Sequence, residues 1–128
     1  MQNELTLAGL NQSLGRNGTL LDAAAGVLHV PLPGGGTVEL RLSADGALCL
    51  RAVVAPLPAQ NGLAACLHLL DANLFAERSG GGAFALDHDG QAVLLRHVAP
   101  GAWTGDARLR DLVERFAAAV AAGRAGDP

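Results

Sequence analysis

The sequence has no lysine and no tyrosine, one tryptophan, three phenylalanines and two cysteines in 128 residues, and each shortage narrows what the chain can do. With so few rings there is no aromatic platform on which single-stranded nucleic-acid bases could stack, and the core must be built from Leu, Val and Ala. All nine cations are arginines, scattered along the chain and outnumbered by twelve acidic residues, for a formal net charge of −3. Phosphate affinity needs clustered cations, so no nucleic-acid partner is expected. Cys49 and Cys66 stand on separate elements with no second Cys or His at ligand spacing, which reads as buried reduced thiols. His29, His68, His88 and His97 lie on four different elements without the HExxH spacing of a zinc helix, so neither a metal nor a cofactor is expected. No charged leader precedes an apolar run with a cleavage site, and no stretch of about twenty apolar residues is free of breakers. A cytoplasmic protein with no membrane contact is the expectation.

Half the residues are apolar and 16% are charged, a composition that folds rather than staying disordered. One domain over residues 1–123, with 124–128 as a flexible tail, fits the length without disulfides or a metal. From Asn3 to about Gly15, Leu7, Leu10 and Leu14 recur at helical spacing, whereas Gly15 to Gly26 reads as an irregular connection. Val27–Pro31, Thr37–Leu42 and Ala47–Val54 then alternate as three meander strands, turned by Pro33–Gly36 and by Asp45-Gly46. Pro56 and Pro58 stop the sheet.

After Gln60 or Asn61, Leu63, Leu67, Leu70 and Leu74 step by four, three and four, which lays a leucine stripe along a helix reaching about Ala76. Cys66, Leu69, Ala72 and Phe75 widen that stripe beyond a single core face. Gly80 to Gly82 end the helix, and Ala83–Asp87 with Ala92–Val98 form a hairpin. A last amphipathic helix runs from Asp106 to about Ala122 on Leu109, Leu112, Val113, Phe116 and Val120, with Arg108, Asp111, Arg115 and Ala119 on its exposed side. The fold class is therefore α+β: a five-stranded antiparallel sheet with three helices in the order α-β-β-β-α-β-β-α.

Chemistry finds little support. Asp87, His88 and Asp89 sit with Gly90 in a hairpin turn, where Asp and Gly serve backbone geometry rather than acid/base work. Ser79 precedes three glycines but lacks both GxSxG and a phosphate-loop lysine. No catalytic residue is assigned, and the protein reads as a non-enzyme, with a small cytoplasmic enzyme as the distant alternative. Trp103 is open between an exposed binding anchor and a clamp at the start of the last helix.

The element order, together with LHLLDANLFAERSGGGAFA from Leu67 to Ala85, resembles the CesT-like class I chaperones of bacterial type III secretion. In that family a central helix ends in a similar Leu-x-x-Asn-Leu-Phe pattern, matched by Leu70, Asn73, Leu74 and Phe75, and a Gly-rich turn follows. The resemblance implies a binding function without ATP hydrolysis: a homodimer that holds the N-terminal segment of a secreted effector, with the secretion-apparatus ATPase as a further partner. A regulator that sequesters a control protein with the same fold is the alternative. The stripe Leu63, Cys66, Leu67, Leu70 and Leu74 is then the dimer contact, although a helix sunk deeply in a monomer core would show the same pattern. Leu7, Leu10 and Leu14 pose a similar choice between packing on the sheet and contact with the effector, and Leu28 and Val30 complete the expected effector-binding set.

Overall fold

The computed structural model describes residues 7–14, 19–22, 24–56, 82–87 and 89–124. Its strands are β1 (Leu20–Asp22), β2 (Val27–Pro31), β3 (Thr37–Leu42), β4 (Leu48–Pro56), β5 (Ala83–Leu86) and β6 (Gln91–Val98). They form one sheet in the order β1-β2-β3-β4-β6-β5, antiparallel throughout. Two helices are described, α1 (Leu7–Leu14) and α2 (Asp106–Arg124). The leucine-stripe helix expected after Gln60 or Asn61 lies outside the described residues, as do residues 3–6 and 15 of the first expected helix.

Period-two patterning decides which face each strand buries. Leu28, Leu40 and Leu50 are cross-strand partners, all fully buried. Ala52, Leu94 and Phe84 form a second buried row across β4, β6 and β5. The helices cover this face. α2 lays down Leu109, Leu112, Val113, Phe116, Ala119 and Val120, and each large side chain removed from water contributes roughly 1.5–3 kcal/mol. Arg108, Asp111 and Arg115 are exposed as the helical spacing predicts. Ala119 is not: it is 6% exposed, because a methyl at the margin of the stripe fits beneath the helix where a longer side chain would not.

Three further expectations need correcting. The sheet has six strands, not five: β1 pairs with β2 through Leu20↔His29, Leu21↔Leu28 and Asp22↔Val27. Asp22 Oδ1 accepts the Ala25 N–H at 3.1 Å and Gly26 takes a positive φ of 69°, so a segment that reads as an irregular connection ends in a tight hairpin. Cys49 is a free, half-buried thiol on the face of the sheet opposite the core, because it alternates with buried Leu48 and Leu50. Finally, α2 extends to Arg124, which the sequence places in the tail; residues 125–128 lie outside the described residues.

Trp103 closes the connection between β6 and α2. Its ring is 2% exposed, and Nε1 donates to the Gly46 carbonyl at 2.9 Å. Of the two roles open to it, the tryptophan therefore takes that of a clamp, on the β3–β4 turn. That turn is itself braced, since Asp45 accepts from the Ser43 hydroxyl and from the Ala47 N–H. The Ser43 hydrogen bond, followed by that of Ala47, holds the Asp45 carboxyl below its ordinary range.

Candidate partner-binding surface

The five expected effector contacts are placed mostly inside. Leu10, Leu14, Leu28 and Val30 are at most 2% exposed and belong to the core; the side chain of Leu7 lies outside the described residues. α1 is the reason: it packs between α2 and strands β1 and β2, so its leucines and the inward residues of β2 meet each other. For Leu10 and Leu14 the sheet-packing role is therefore the one seen in the single chain. The dimer set, Leu63, Cys66, Leu67, Leu70 and Leu74, lies outside the described residues.

Among the described residues, no helix packs on the opposite face of the sheet. One row of cross-strand partners crosses all six strands there: Leu20, His29, Glu39, Arg51, Leu95 and Ala83. Toward its ends lie exposed leucines, Leu20 at 66% and Leu95 at 40%. Its middle is charged. Arg51 reaches Glu39 at 2.8 Å and Asp87 at 3.2 Å, while Arg41 meets Glu39 at 3.3 Å. His29 shares a 3.2 Å hydrogen bond with Thr37 beside it. A concavity of about 530 Å³ opens between Arg41, Cys49, Arg51, Leu95 and His97.

Asp87, a carboxylate that could suggest acid/base work, is a structural acceptor: Oδ1 takes the N–H groups of Asp89 and Gln91, each at 2.9 Å, and Oδ2 takes Arg51. It shapes the β5–β6 turn and joins it to the charged row. His88 lies outside the described residues. Among the described residues no three of His, Cys, Asp and Glu come together in a group able to hold a metal, and no helix is long and apolar enough to cross a membrane.

The second feature is a groove of about 350 Å³ between the β2–β3 turn and the end of α2. Arg124 builds it. Its Nη1 donates to Gly35 O at 2.8 Å, Nη2 to Val53 O at 3.0 Å and Nε to Val54 O at 3.3 Å. Both β4 carbonyls lie where the ladders are irregular: the β3–β4 pairs end at Glu39↔Arg51, and the β4–β6 register shifts between Val53 and Ala55, a bulge that skips Val54. Gly123 allows the helix end to come this close: a Cβ there would sit 3.0 Å from Val54 Cγ1. Sequence reasoning misses both residues, whose partners lie far away along the chain.

Solved structures share this architecture. A Yersinia pestis type III secretion chaperone, SycH, solved with a fragment of YscM2, is similar over 94% of this chain and 98% of its own, at 21% identity and a TM-score of 0.65. A chain of the HopA1–SchA chaperone–effector complex matches over 99% and 95%, at 19% identity and 0.64. YbjN, a putative transcription regulator from E. coli, matches over 94% and 92%, at 16% identity and 0.65. At these identities the likeness concerns the fold. No curated protein matches the sequence. The model of the Tir chaperone protein (CesT) family matches residues 6–123, nearly the whole chain, and the protein belongs to that family.

Proposed function

We propose that the protein is a type III secretion chaperone that holds the N-terminal segment of a secreted effector in an extended state in the bacterial cytoplasm, without hydrolysing ATP. The family match over residues 6–123 carries this reading. The geometry is compatible with it: the helices occupy one face of the sheet, and among the described residues the other face and both edge strands remain for a partner. The proposed working form is a homodimer joined through Leu63, Cys66, Leu67, Leu70 and Leu74, a reading supported by the spacing of those residues. The secretion-apparatus ATPase is proposed as a further partner.

The test is co-expression with an effector encoded beside it, followed by size-exclusion chromatography with light scattering. Two copies of this chain with one effector are expected, and Leu70→Glu should split or unfold the dimer by burying an unpaired charge. A monomer that retains no effector would sink the proposal. The likeness to YbjN favours a second reading, a regulator that sequesters a control protein. Deleting the gene separates the two: lost secretion with unchanged transcription supports the chaperone, and the reverse supports the regulator.

A further inference from the structure

Among the described residues, Arg124 is the one charged side chain bordering the groove at the end of α2, where Leu32, Pro33 and Gly34 form one wall and Ala117, Ala118 and Ala121 form the other. Its hydrogen bonds all go to carbonyls, of Gly35, Val53 and Val54, and no carboxylate pairs with it among the described residues. Carbonyl dipoles hold a guanidinium in place but leave its charge, and three of its five N–H donors are committed in this way. The arrangement is built closely. A Cβ at Gly34 or Gly36 would lie 3.3 Å from Nη1 or 3.2 Å from Nη2, so the glycines let the turn rest on the guanidinium. Gly35 and Gly36 also adopt positive φ, 100° and 76°. The Pro/Gly-rich turn thus forms a fixed wall of the groove.

An apolar cleft ending in a fixed cation that has no carboxylate partner among the described residues is complementary to an aliphatic side chain with a carboxylate beside it. We propose that this groove is a subsite for a polypeptide partner that lays a Leu-sized side chain against the alanine face of α2 and places a neighbouring Asp or Glu carboxylate on Arg124. The proposal rests on the chaperone reading only in taking the partner to be an extended polypeptide. It adds a sequence preference, aliphatic followed by acidic, at one place on the surface.

The probe is a blocked tetrapeptide, acetyl-Gly-Leu-Asp-Gly-amide, titrated into the full chain carrying isotope-labelled alanine methyls. Shifts confined to Ala117, Ala118 and Ala121 are expected. Replacing the peptide's Asp by Asn should weaken binding about fivefold, the scale of a partly exposed ion pair. Ala118→Trp or Ala121→Trp, each replacing an exposed alanine, should abolish the shifts by filling the groove while leaving the circular dichroism spectrum unchanged. No shifts, shifts centred elsewhere, or equal binding of the Asn peptide would overturn the proposal. Failure here with an effector still retained on co-expression removes the groove and leaves the chaperone reading intact. Peptide binding at the groove with no effector retained does the opposite.

Discussion

Replacing Trp103 tests whether the last helix is clamped to the sheet as the structure requires. The ring is 2% exposed and its N–H donates to Gly46 O, so Trp103→Ala removes packing and leaves a cavity, at a cost of about 3–5 kcal/mol. Trp103→Phe keeps most of the ring but loses the donor and some volume, about 1–2 kcal/mol. With 128 residues and an unfolding entropy of about 2.1 cal/mol/K per residue, each kcal/mol lowers Tm by roughly 4 °C. The expected drops are therefore about 11–19 °C for the alanine variant and about 4–7 °C for the phenylalanine variant. Thermal and urea unfolding followed by far-UV circular dichroism, at one protein concentration because any dimer makes Tm concentration-dependent, measures both. As the single tryptophan, Trp103 also reports directly: its emission should be blue-shifted and poorly quenched by iodide. An alanine variant within about 1 kcal/mol of the parent would refute the clamp, and a simultaneous loss of partner binding would return the residue to the role of an exposed anchor.

Gly123→Ala should fail to stabilise α2: the helix-propensity gain of up to about 1 kcal/mol is outweighed by roughly 1–3 kcal/mol of overpacking against Val54 and Phe84. A raised urea midpoint would contradict it. Arg124→Lys should cost about 1–2 kcal/mol, because one ammonium cannot span the carbonyls of Gly35, Val53 and Val54. Exchange of the Leu32 and Gly35 amides, which close the β2–β3 turn, should quicken; unchanged exchange would show that Arg124 does not hold the turn. Asp45 titrates below its ordinary value, chiefly through the Ser43 hydroxyl. The unfolded chain then binds more protons between the two pKa values, so this contribution is complete above the unfolded value and is lost as pH falls through the folded one. A carbonyl-detected titration should give a higher Asp45 pKa in Ser43→Ala, and an unmoved midpoint would assign the depression elsewhere.

The strands legible in the sequence are those whose alternation is long enough to be a pattern. Val38 and Leu40 against Glu39 and Arg41 leave one face to bury, and the Asp45-Gly46 turn fixes where β4 begins. α2 is equally plain from Leu109 to Val120, because an apolar stripe held over three turns fits an amphipathic helix and not a strand. β1 has three residues, too few for alternation to show. Residue type alone misplaces Cys49 in the core, whereas its position between Leu48 and Leu50 assigns it to the outer face. The groove is invisible for a different reason. Arg124 finds its acceptors 70, 71 and 89 residues away, and nothing in the local composition of a helix end announces a contact made by the fold. Leu10, Leu14, Leu28 and Val30 meet a related limit: apolar periodicity says that a face will be covered and does not say whether the chain itself or a partner covers it.

The face on which no described helix packs bears on what kind of partner would suit this sheet. The row from Leu20 to Ala83 crosses six strands, five spacings of about 4.8 Å, or roughly 24 Å. Its exposed large apolar side chains, Leu20 and Leu95, stand at β1 and β6, with the Glu39–Arg51 pair between them. A compact partner centred on this face would put the ion pair at the middle of its footprint, where tight interfaces are depleted of charge. An extended segment avoids that conflict. Crossing the row takes about seven residues at roughly 3.3 Å each, enough to place apolar side chains at both ends and polar ones over the charges. Ordering such a segment costs several kcal/mol that two leucine contacts alone do not offset. A partner held here must therefore continue past the row onto other surfaces, which is how an extended chain gains affinity from a face with no single apolar centre.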